Sequence, residues 1–344
     1  NSDSKVVFVG NNPMDNGETD KMPNHRLMKV LDRLEKVEHV VMMNGVDVLE
    51  NPRAMTWDDF IGKGSSVDES QVMDRENALT MGDTASLIYT SGTTGNPKGV
   101  ELTHDNWSFE LDATDSIMEF QQGEKYVSWL PLAHVFGQLV DNHYWIKNAL
   151  HMYVVDNPLN VVDFAKEIQP HLFIGVPRIY EKIYSNVKAA LDAKAVLKIL
   201  LKVPGISGVL QGKLKEKIGM ANCRFAITGA APINTDILRL FQSLGVPIFE
   251  GYGMTEDTAG ATINYAGMNR IGTVGPAFPN TEIKIAEDGE VLIKGRHVMK
   301  GYYKNPEATA ETIIDGWLYS GDVGEMDADG FVRITGRKKE IYVT

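Results

Sequence analysis

The sequence predicts an α/β body followed by a smaller β-rich portion. Over residues 1–262, short apolar runs alternate with helical patterns, which is typical of parallel strands joined by crossover helices. After Thr262 the pattern changes to short strands separated by Asp-Gly turns. We therefore expect an α/β body over 1–262, a β-rich subdomain over 263–336 and a terminal segment over 337–344.

The individual elements are predicted from the period of the apolar residues and from the turn residues between them. Strands of the body are expected over 5–9, 39–43, 86–90, 126–130, 152–155, 172–176, 225–228 and 247–250. Helices are expected over 23–37, 104–120, 135–149, 161–168, 178–202 and 235–244. Strands of the β-rich portion are expected over 282–286, 290–294 and 332–335, the first two as a hairpin.

Composition excludes several classes of protein. The 344 residues carry a formal net charge of −12, so a general nucleic-acid-binding surface is not expected. The single cysteine, Cys223, rules out an intrachain disulfide and a cysteine-rich metal site, which fits a reducing compartment such as the cytoplasm. No apolar run approaches the roughly eighteen residues of a membrane span, and no secretory signal is found.

The most informative segment is a loop of glycines and hydroxyl side chains that ends in Lys98. Its glycines let the backbone approach a ligand closely, and successive N–H groups in such a loop form an anion-binding concavity. It is not a Walker P-loop, because Pro97 and Gly99 stand where that motif needs glycine and a hydroxyl residue. A plain turn between a strand and a helix is the alternative, although such turns rarely combine so many phosphate donors with a lysine. The phosphate-binding candidates are Thr90, Ser91, Gly92, Thr93, Thr94, Gly95 and Lys98.

The segment 90–99 resembles the signature loop of the adenylate-forming enzymes, which include acyl-CoA synthetases, firefly-type luciferases and peptide-synthetase adenylation domains. Further segments resemble motifs of that family in the same order, and they lie at 130–134, 228–233, 250–256, 317–324 and 334–340. Two others, 175–181 and 298–304, are most similar to long-chain fatty acyl-CoA synthetases. The resemblance runs through nearly the whole chain.

The resemblance implies a reaction in two steps. A fatty acid carboxylate attacks the α-phosphate of ATP, with Mg²⁺ present, to give an acyl-adenylate and pyrophosphate. The thiolate of coenzyme A then displaces AMP. Because the carboxylate is already a nucleophile, catalysis of the first step is mostly positioning and charge stabilisation.

The resemblance also assigns the phosphate and metal contacts. Lys98 and the loop hydroxyls contact the β- and γ-phosphates, Thr255 contacts the α-phosphate, and Glu256 binds Mg²⁺, which commonly takes one or two carboxylates plus phosphate oxygens. On spacing alone, Thr255 and Glu256 fit the start of a helix equally well. His134 would line the junction of carboxylate and α-phosphate without acting as a general base; a core or capping histidine is the alternative.

The nucleoside contacts implied by the resemblance come from four of the segments named above, 228–233, 250–256, 317–324 and 334–340. They involve Gly229, Ala230, Ala231, Tyr252, Gly253, Asp322 and Arg337. Tyr252 would stack on adenine, Asp322 would accept hydrogen bonds from both ribose hydroxyls, and Arg337 would support the ribose or the phosphate. The residues alone also fit a strand-to-helix turn at 229–232 and a turn-forming Asp322 after Gly321.

The acyl site is expected along the apolar segment 135–140, where Gly137 and Gly175 would leave room for a tunnel. Plain core packing is the alternative.

A basic segment runs from Lys182 to Lys217, with eight lysines and only two acidic residues. Its interleaved apolar residues would suit peripheral contact with an anionic membrane; a solvated helix face is the alternative. The sequence indicates no oligomeric state.

The resemblance also suggests a fragment. Family members carry more sequence before the loop, Asn1 is not a natural start, and a small C-terminal domain with a catalytic lysine would follow 337–344. Lys339 would be the hinge to that domain. Without the C-terminal domain, we expect slow adenylation and almost no thioester formation.

The sequence therefore predicts an ATP-dependent long-chain fatty acid–CoA ligase. Other adenylate-forming enzymes are the nearest alternatives, namely a fatty acyl-AMP ligase, an aryl acid–CoA ligase or a luciferase-like oxidase. A non-catalytic nucleotide-binding module is a further alternative.

Overall fold

The computed structural model describes residues 3–10, 23–90, 96–193 and 206–338. The chain divides into two compact units, Asn1–Thr80 and Met81–Thr344. The boundaries near 262 and 336 that the sequence suggests stay a prediction.

The first unit contains a parallel three-stranded sheet in the order β1-β2-β3. Its elements are β1 (Val6–Val9), α1 (Pro23–Leu31), β2 (His39–Met42), β3 (Ala54–Thr56), α2 (Trp57–Gly64) and α3 (Glu69–Ala78). Val9, Leu31, Val40 and Met42 form its buried core. The first helix ends at Leu31, six residues before the expected end.

The second unit holds the remaining elements. Its strands are β4 (Thr84–Thr90), β5 (Lys98–Thr103), β6 (Lys125–Ser128), β7 (His151–Val154), β8 (Leu172–Ile174), β9 (Phe225–Thr228), β10 (Ile248–Tyr252), β11 (Thr262–Ile263), β12 (Glu282–Ile285), β13 (Glu290–Lys294), β14 (Gly301–Tyr302), β15 (Ile313–Ile314), β16 (Trp317–Met326) and β17 (Val332–Arg337). Its helices are α4 (His104–Asp115), α5 (Val135–Gln138), α6 (Trp145–Lys147), α7 (Val161–Ile168), α8 (Pro177–Asp192), α9 (Ile206–Ile218), α10 (Thr235–Ser243) and α11 (Pro306–Thr312).

The central sheet has six strands in the order β11-β10-β9-β8-β6-β7, all parallel except β11. Successive residues of a strand face opposite sides of a sheet. Accordingly, Phe225 and Ile227 pack into one core with α4, whereas Ala226 packs into another with α7, α8 and α10. The predicted α/β layering is confirmed, with apolar cores on both faces of the sheet.

The strand predicted at 86–90 was assigned to a parallel α/β pattern, and that assignment is wrong. It pairs antiparallel with β5, so the glycine-rich loop connects two strands and not a strand and a helix. The sequence of β5 alternates, with Val100 and Leu102 fully buried, but its glycine and charged residues masked the strand pattern. The register places Thr90 opposite Lys98, so both ends of the loop are held together.

The β-rich portion forms a sheet in the order β12-β13-β16-β15, with β17 also on β16. The predicted hairpin of β12 and β13 is confirmed, as is the strand at β17. Two predicted helices differ from the observed ones: the helix at 104 ends at Asp115, and the one at 135–149 is interrupted by a π-helical segment over Leu139–Tyr144. Of the helix predicted at 178–202, the structure shows Pro177–Asp192, and the predicted part from 194 to 202 lies outside the described residues.

Candidate active site

A cavity of about 840 Å³ opens at the carboxyl ends of the parallel strands in the second unit. Thr228 and Gly229 follow β9 into its wall, and Tyr252 and Gly253 follow β10. Ligands of open α/β sheets usually bind at this edge, where strands end and polar backbone groups are free. The cavity is therefore the candidate active site.

One polar end of the cavity is built on Asp322, a buried carboxylate in β16. The hydroxyl of Tyr252 donates to Oδ2 at 2.8 Å, and Nε of Arg337 lies 2.9 Å from Oδ1. Asp322 and Arg337 are register partners in β16 and β17, so the sheet itself brings them together. The alternative that Asp322 forms a turn is wrong, because it lies within a strand and is only 4% exposed.

Tyr252 and Arg337 line the cavity, and Asp322 lies behind them. Burial, followed by the charge of Asp322, raises the pKa of the Tyr252 hydroxyl, so this group stays a neutral donor. Three of the seven residues predicted to contact the nucleoside, Tyr252, Asp322 and Arg337, thus form one connected group.

A second polar group surrounds Glu256. Thr255 and Glu256 lie in a single 3₁₀ turn over Thr255–Asp257, directly after β10. The hydroxyl of Tyr302 donates to Glu256 Oε1 at 2.8 Å, and Nζ of Lys98 lies 4.6 Å from the centre of the same tyrosine ring. All four side chains line the cavity, so Tyr302 connects the predicted phosphate lysine to the predicted metal ligand.

Tyr302 was not among the residues chosen from the sequence. The available sequence signal was the segment 298–304, which contributed only its resemblance to the family. Its position follows from β14, which pairs with β5 immediately beside Lys98.

Lys338 and Glu290 are further residues that sequence reasoning missed. Nζ of Lys338 lies 2.6 Å from Oε2 of Glu290 and 2.6 Å from Oδ2 of Asp288. The backbone N–H of Gly321 donates to the other carboxylate oxygen of Glu290 at 2.8 Å. Glu290 therefore holds two neighbours of the nucleoside group in place. These are the backbone of Gly321, next to Asp322, and the side chain of Lys338, next to Arg337.

His134 lines the cavity and also caps α5, which confirms the capping alternative. Its Nδ1 accepts a hydrogen bond from the backbone N–H of Phe136 at 3.2 Å. The side chain is exposed toward the cavity. That hydrogen bond fixes the ring at the start of α5 and leaves the other ring nitrogen for a ligand.

The segment predicted to lie against adenine follows β9. Gly229 and Ala230 line the cavity but Ala231 does not, and α10 begins at Thr235, so the strand-to-helix turn is also confirmed.

A Cβ on Gly253 would lie 2.2 Å from the carbonyl oxygen of Ala259. Only glycine therefore fits at position 253.

The other end of the cavity is apolar. Its wall includes Met118, Phe120, Phe136, Val140, Tyr144, Leu172, Ile174, Ile227, Ile263 and Phe278. The expectation that Gly137 and Gly175 leave room for a tunnel is wrong. A Cβ would meet the Pro131 carbonyl oxygen at 2.4 Å from Gly137 and the Tyr180 ring at 2.8 Å from Gly175, so both glycines serve internal packing.

Several predicted residues lie outside the described part of the chain. These are Ser91, Gly92, Thr93, Thr94, Gly95 and the hinge residue Lys339. Among the residues that are described, no cluster of three or more His, Cys, Asp and Glu side chains could hold a metal ion by itself. Glu256 fits Mg²⁺ only as one carboxylate that acts together with phosphate oxygens and water.

The comparisons with known proteins identify the family. The AMP-binding enzyme family matches residues 1–303, and the chain therefore belongs to this family of adenylate-forming enzymes. The predicted family membership is confirmed.

Individual relatives are similar over most of the chain. A putative fatty-acid–CoA ligase, fadD11 of Mycobacterium tuberculosis, is 36% identical over 76% of this chain and 51% of its own length. The long-chain-fatty-acid–CoA ligase ACSBG2 of Homo sapiens is 33% identical over 93% of this chain and 54% of its own. The chain thus spans about half the length of these curated relatives.

The N-terminal domain of FACL13 from Mycobacterium tuberculosis, solved with an inhibitor, has the same fold. The TM-score is 0.64 at 20% identity, over 96% of this chain and 86% of that domain. The predicted fold, the large N-terminal domain of an adenylate-forming enzyme, is confirmed.

Proposed function

We propose that the protein activates a long-chain fatty acid with ATP, forming an acyl-adenylate and pyrophosphate, and then transfers the acyl group to coenzyme A. The observation that carries this proposal is the single cavity in which two polar groups face an apolar wall. A nucleotide requires the polar groups, and an acyl chain requires the apolar wall. The fatty-acid–CoA ligase names of the relatives support the same substrate class.

The nucleoside would bind at the group formed by Asp322, Tyr252 and Arg337. Each carboxylate oxygen has two lone pairs. Asp322 lies behind Tyr252 and Arg337, so a ribose hydroxyl would reach its carboxylate oxygens only where one of these side chains shifts on binding. Burial of this carboxylate would strengthen such charge-assisted hydrogen bonds relative to those in water.

The phosphates would lie between Lys98 and Glu256. Lys98 would neutralise phosphate charge, and its position over the Tyr302 ring orients the ammonium by a cation–π contact. The Tyr302 hydroxyl holds one oxygen of Glu256 and leaves the second oxygen for a cation. Mg²⁺ bound there would neutralise charge that develops on the phosphate oxygens.

The acyl carboxylate would approach from the apolar end. His134 and Thr255 both line the cavity, and they would orient the carboxylate toward the α-phosphate. No side chain needs to remove a proton in this step, because the attacking carboxylate is already ionised.

Coenzyme A, the cytoplasmic location and the membrane contact stay predictions. Within the described ranges, no helix combines the length and apolar composition of a membrane crossing. Lys182 and Lys188 lie on α8, and Lys213, Lys215 and Lys217 lie on α9, whereas the lysines between 194 and 205 fall outside the described residues.

Acid-dependent exchange of pyrophosphate into ATP tests the proposal. The full-length protein is assayed with Mg²⁺ and a series of short, medium, long and aromatic acids. We expect exchange to peak with long-chain fatty acids and to be lost in Lys98→Ala. Measurable ATP binding without exchange for any acid would instead support a non-catalytic nucleotide-binding module.

A further inference from the structure

The apolar part of the cavity lies against one face of the central sheet. Leu172 and Ile174 of β8 and Ile227 of β9 line it, and all three belong to the core that includes α4. Ile174 pairs with Ile227, whereas Leu172 pairs with Phe225, and these last two residues begin their strands. The nucleotide would bind beyond the carboxyl ends of the strands. An acyl chain joined to it would therefore run along β8 and β9 toward their amino ends.

Three connected side chains end the cavity at the level of those amino ends. Met118, Phe120 and Tyr144 line the cavity, and we call them the floor. The centre of the Phe120 ring lies 4.7 Å from that of Phe225 and 5.6 Å from that of Tyr144, which it meets edge to face. The Tyr144 hydroxyl donates to the carbonyl oxygen of Met118 at 3.1 Å. Phe225 itself is buried and does not line the cavity, so the cavity stops at the floor.

The backbone that carries Tyr144 is held in place. Tyr144 is the last residue of the π-helical segment Leu139–Tyr144, and the first two residues of that segment also line the cavity. Within the segment, Asp141 accepts hydrogen bonds from the hydroxyls of Tyr126 at 2.7 Å and Ser128 at 2.6 Å, which tie it to β6. π-Helical turns are rare and frequently occur at functional sites. The floor is therefore a fixed wall at the end of the acyl path.

A fixed apolar end affects chains of different length in opposite directions. Each methylene group that the cavity takes out of water favours binding. A methylene group that would meet the floor instead has to displace packed side chains, and such overpacking is unfavourable. The chain that just reaches the floor is therefore favoured over both shorter and longer ones.

We propose that Tyr144, supported by Phe120, is a specificity-determining residue that sets the longest acyl chain the protein activates. This inference rests on the acyl-activating function proposed above and deepens it, because it assigns the limit on chain length to named side chains. The ring of Tyr144 acts by occupying space, and its hydroxyl acts only by holding the ring on Met118. Removing either ring of the floor lengthens the acyl path.

Pyrophosphate exchange with a series of unbranched saturated acids, lengthened one methylene group at a time, tests this proposal in the full-length protein. For wild type, kcat/KM should rise with chain length to a maximum and then fall. In Tyr144→Ala the maximum should move to longer acids. We expect the kcat/KM of the first acid beyond the wild-type maximum, relative to the acid at that maximum, to rise by about tenfold or more.

Two further variants and one matched control separate the space that the ring fills from other effects. Tyr144→Phe keeps the ring and should keep the wild-type maximum. Phe120→Ala should move the maximum in the same direction as Tyr144→Ala, and because Phe120 is only partly buried it decides the matter if Tyr144→Ala does not fold. The control is Phe164→Ala. Phe164 lies on α7, is also partly buried and packs against the core on the other face of the sheet, so the maximum should not move.

The possible failures are distinguishable. An unchanged maximum in Tyr144→Ala and Phe120→Ala, with exchange retained, would overturn the role of the floor while leaving the ligase function intact. An equal shift in Phe164→Ala would overturn it too, because it would show a general loosening of the fold. Absence of exchange with every acid in wild type would reject the proposed function itself.

Discussion

The phenolic oxygen of Tyr302 lies 2.8 Å from Oε1 of Glu256 and donates a hydrogen bond to it. The ring of the same tyrosine lies under the ammonium group of Lys98. One side chain from β14 therefore positions two residues that stand 158 positions apart in the sequence. Catalysis by positioning depends on such contacts, because small displacements of a charged group reduce transition-state stabilisation.

Replacing Tyr302 with phenylalanine tests this relationship. Tyr302→Phe keeps the ring under Lys98 but frees Oε1 of Glu256. We expect the kcat of pyrophosphate exchange to fall by roughly tenfold, since a hydrogen bond to a charged group is lost. Steady-state exchange at varied Mg²⁺ concentration is the measurement, and we expect a weaker apparent affinity for Mg²⁺.

The matched control is Tyr184→Phe. Tyr184 lies on α8 and also carries a lysine over its ring, with 5.5 Å between Lys188 Nζ and the ring centre. Its activity should equal that of wild type. Equal activity of Tyr302→Phe and wild type at limiting Mg²⁺ would refute the positioning role.

Neutralising Asp322 should weaken nucleotide binding. Asp322→Asn keeps the shape of the side chain but removes the charge that pairs with Arg337. We expect the Kd for ATP, measured by calorimetry, to rise by about tenfold or more because charge-assisted hydrogen bonds are lost. Asp329→Asn is the control, because Asp329 forms an exposed ion pair with Arg270 in the same β-rich portion. Similar Kd values for both variants would contradict a nucleotide contact at Asp322.

Position 253 should accept no side chain. Gly253→Ala would place a Cβ against the Ala259 carbonyl oxygen, and we expect it to lower the free energy of unfolding by about 1–3 kcal/mol. Gly212 in α9 has no heavy atom within 4 Å of its Cβ position, so Gly212→Ala should raise the same free energy by about 0.5–1 kcal/mol. Urea unfolding measures both changes, and a fully stable Gly253→Ala would show that the observed backbone approach is wrong.

The free energy of unfolding should decrease as pH rises, because of one buried carboxyl group, that of Glu250. Burial raises the pKa of Glu250 from 4.5 to about 7. Between these values the folded state holds a proton that the unfolded state releases, so stability falls as pH rises through this window and stays lower above pH 7. The shift corresponds to about 3 kcal/mol.

The variant Glu250→Gln tests that dependence, because an amide does not titrate. Its free energy of unfolding should change less than that of wild type between pH 5 and 8, and it should be the more stable protein at pH 8. Glu167→Gln, exposed on α7, should follow wild type. Parallel pH profiles of wild type and Glu250→Gln would contradict the raised pKa.

The parts of the fold that could be predicted from the sequence are those with a clear period or a special composition. The helix at 161–168 and the strand at 225–228 were predicted with the observed bounds, since the helix is strongly amphipathic and the strand is buried throughout. The helices α2 and α3 were missed because neither has a buried residue. Their capping boxes, at Thr56 and Asp68, were the available signal.

The residues of the candidate site also divide into those that sequence motifs identify and those that only the structure places. Lys98, Glu256 and Asp322 stand in short glycine-containing motifs that can be recognised without a structure. Tyr302 stands in the family-like segment 298–304 and Glu110 in an ordinary one, and the positions of both follow from how β14 and α4 pack beside the cavity. On a helix, an isolated glutamate reads as a solvent-facing residue, so only the packing shows that Glu110 is buried.

Direct detection of the first product is the most decisive measurement. The full-length protein is mixed with ATP, Mg²⁺ and a long-chain fatty acid, quenched, and analysed by mass spectrometry for acyl-adenylate and pyrophosphate. We predict both products in equal amounts, with neither formed by Glu256→Gln at the wild-type rate. Formation of ADP and phosphate, or no turnover of bound ATP, would contradict the assignment of this cavity to acyl adenylation.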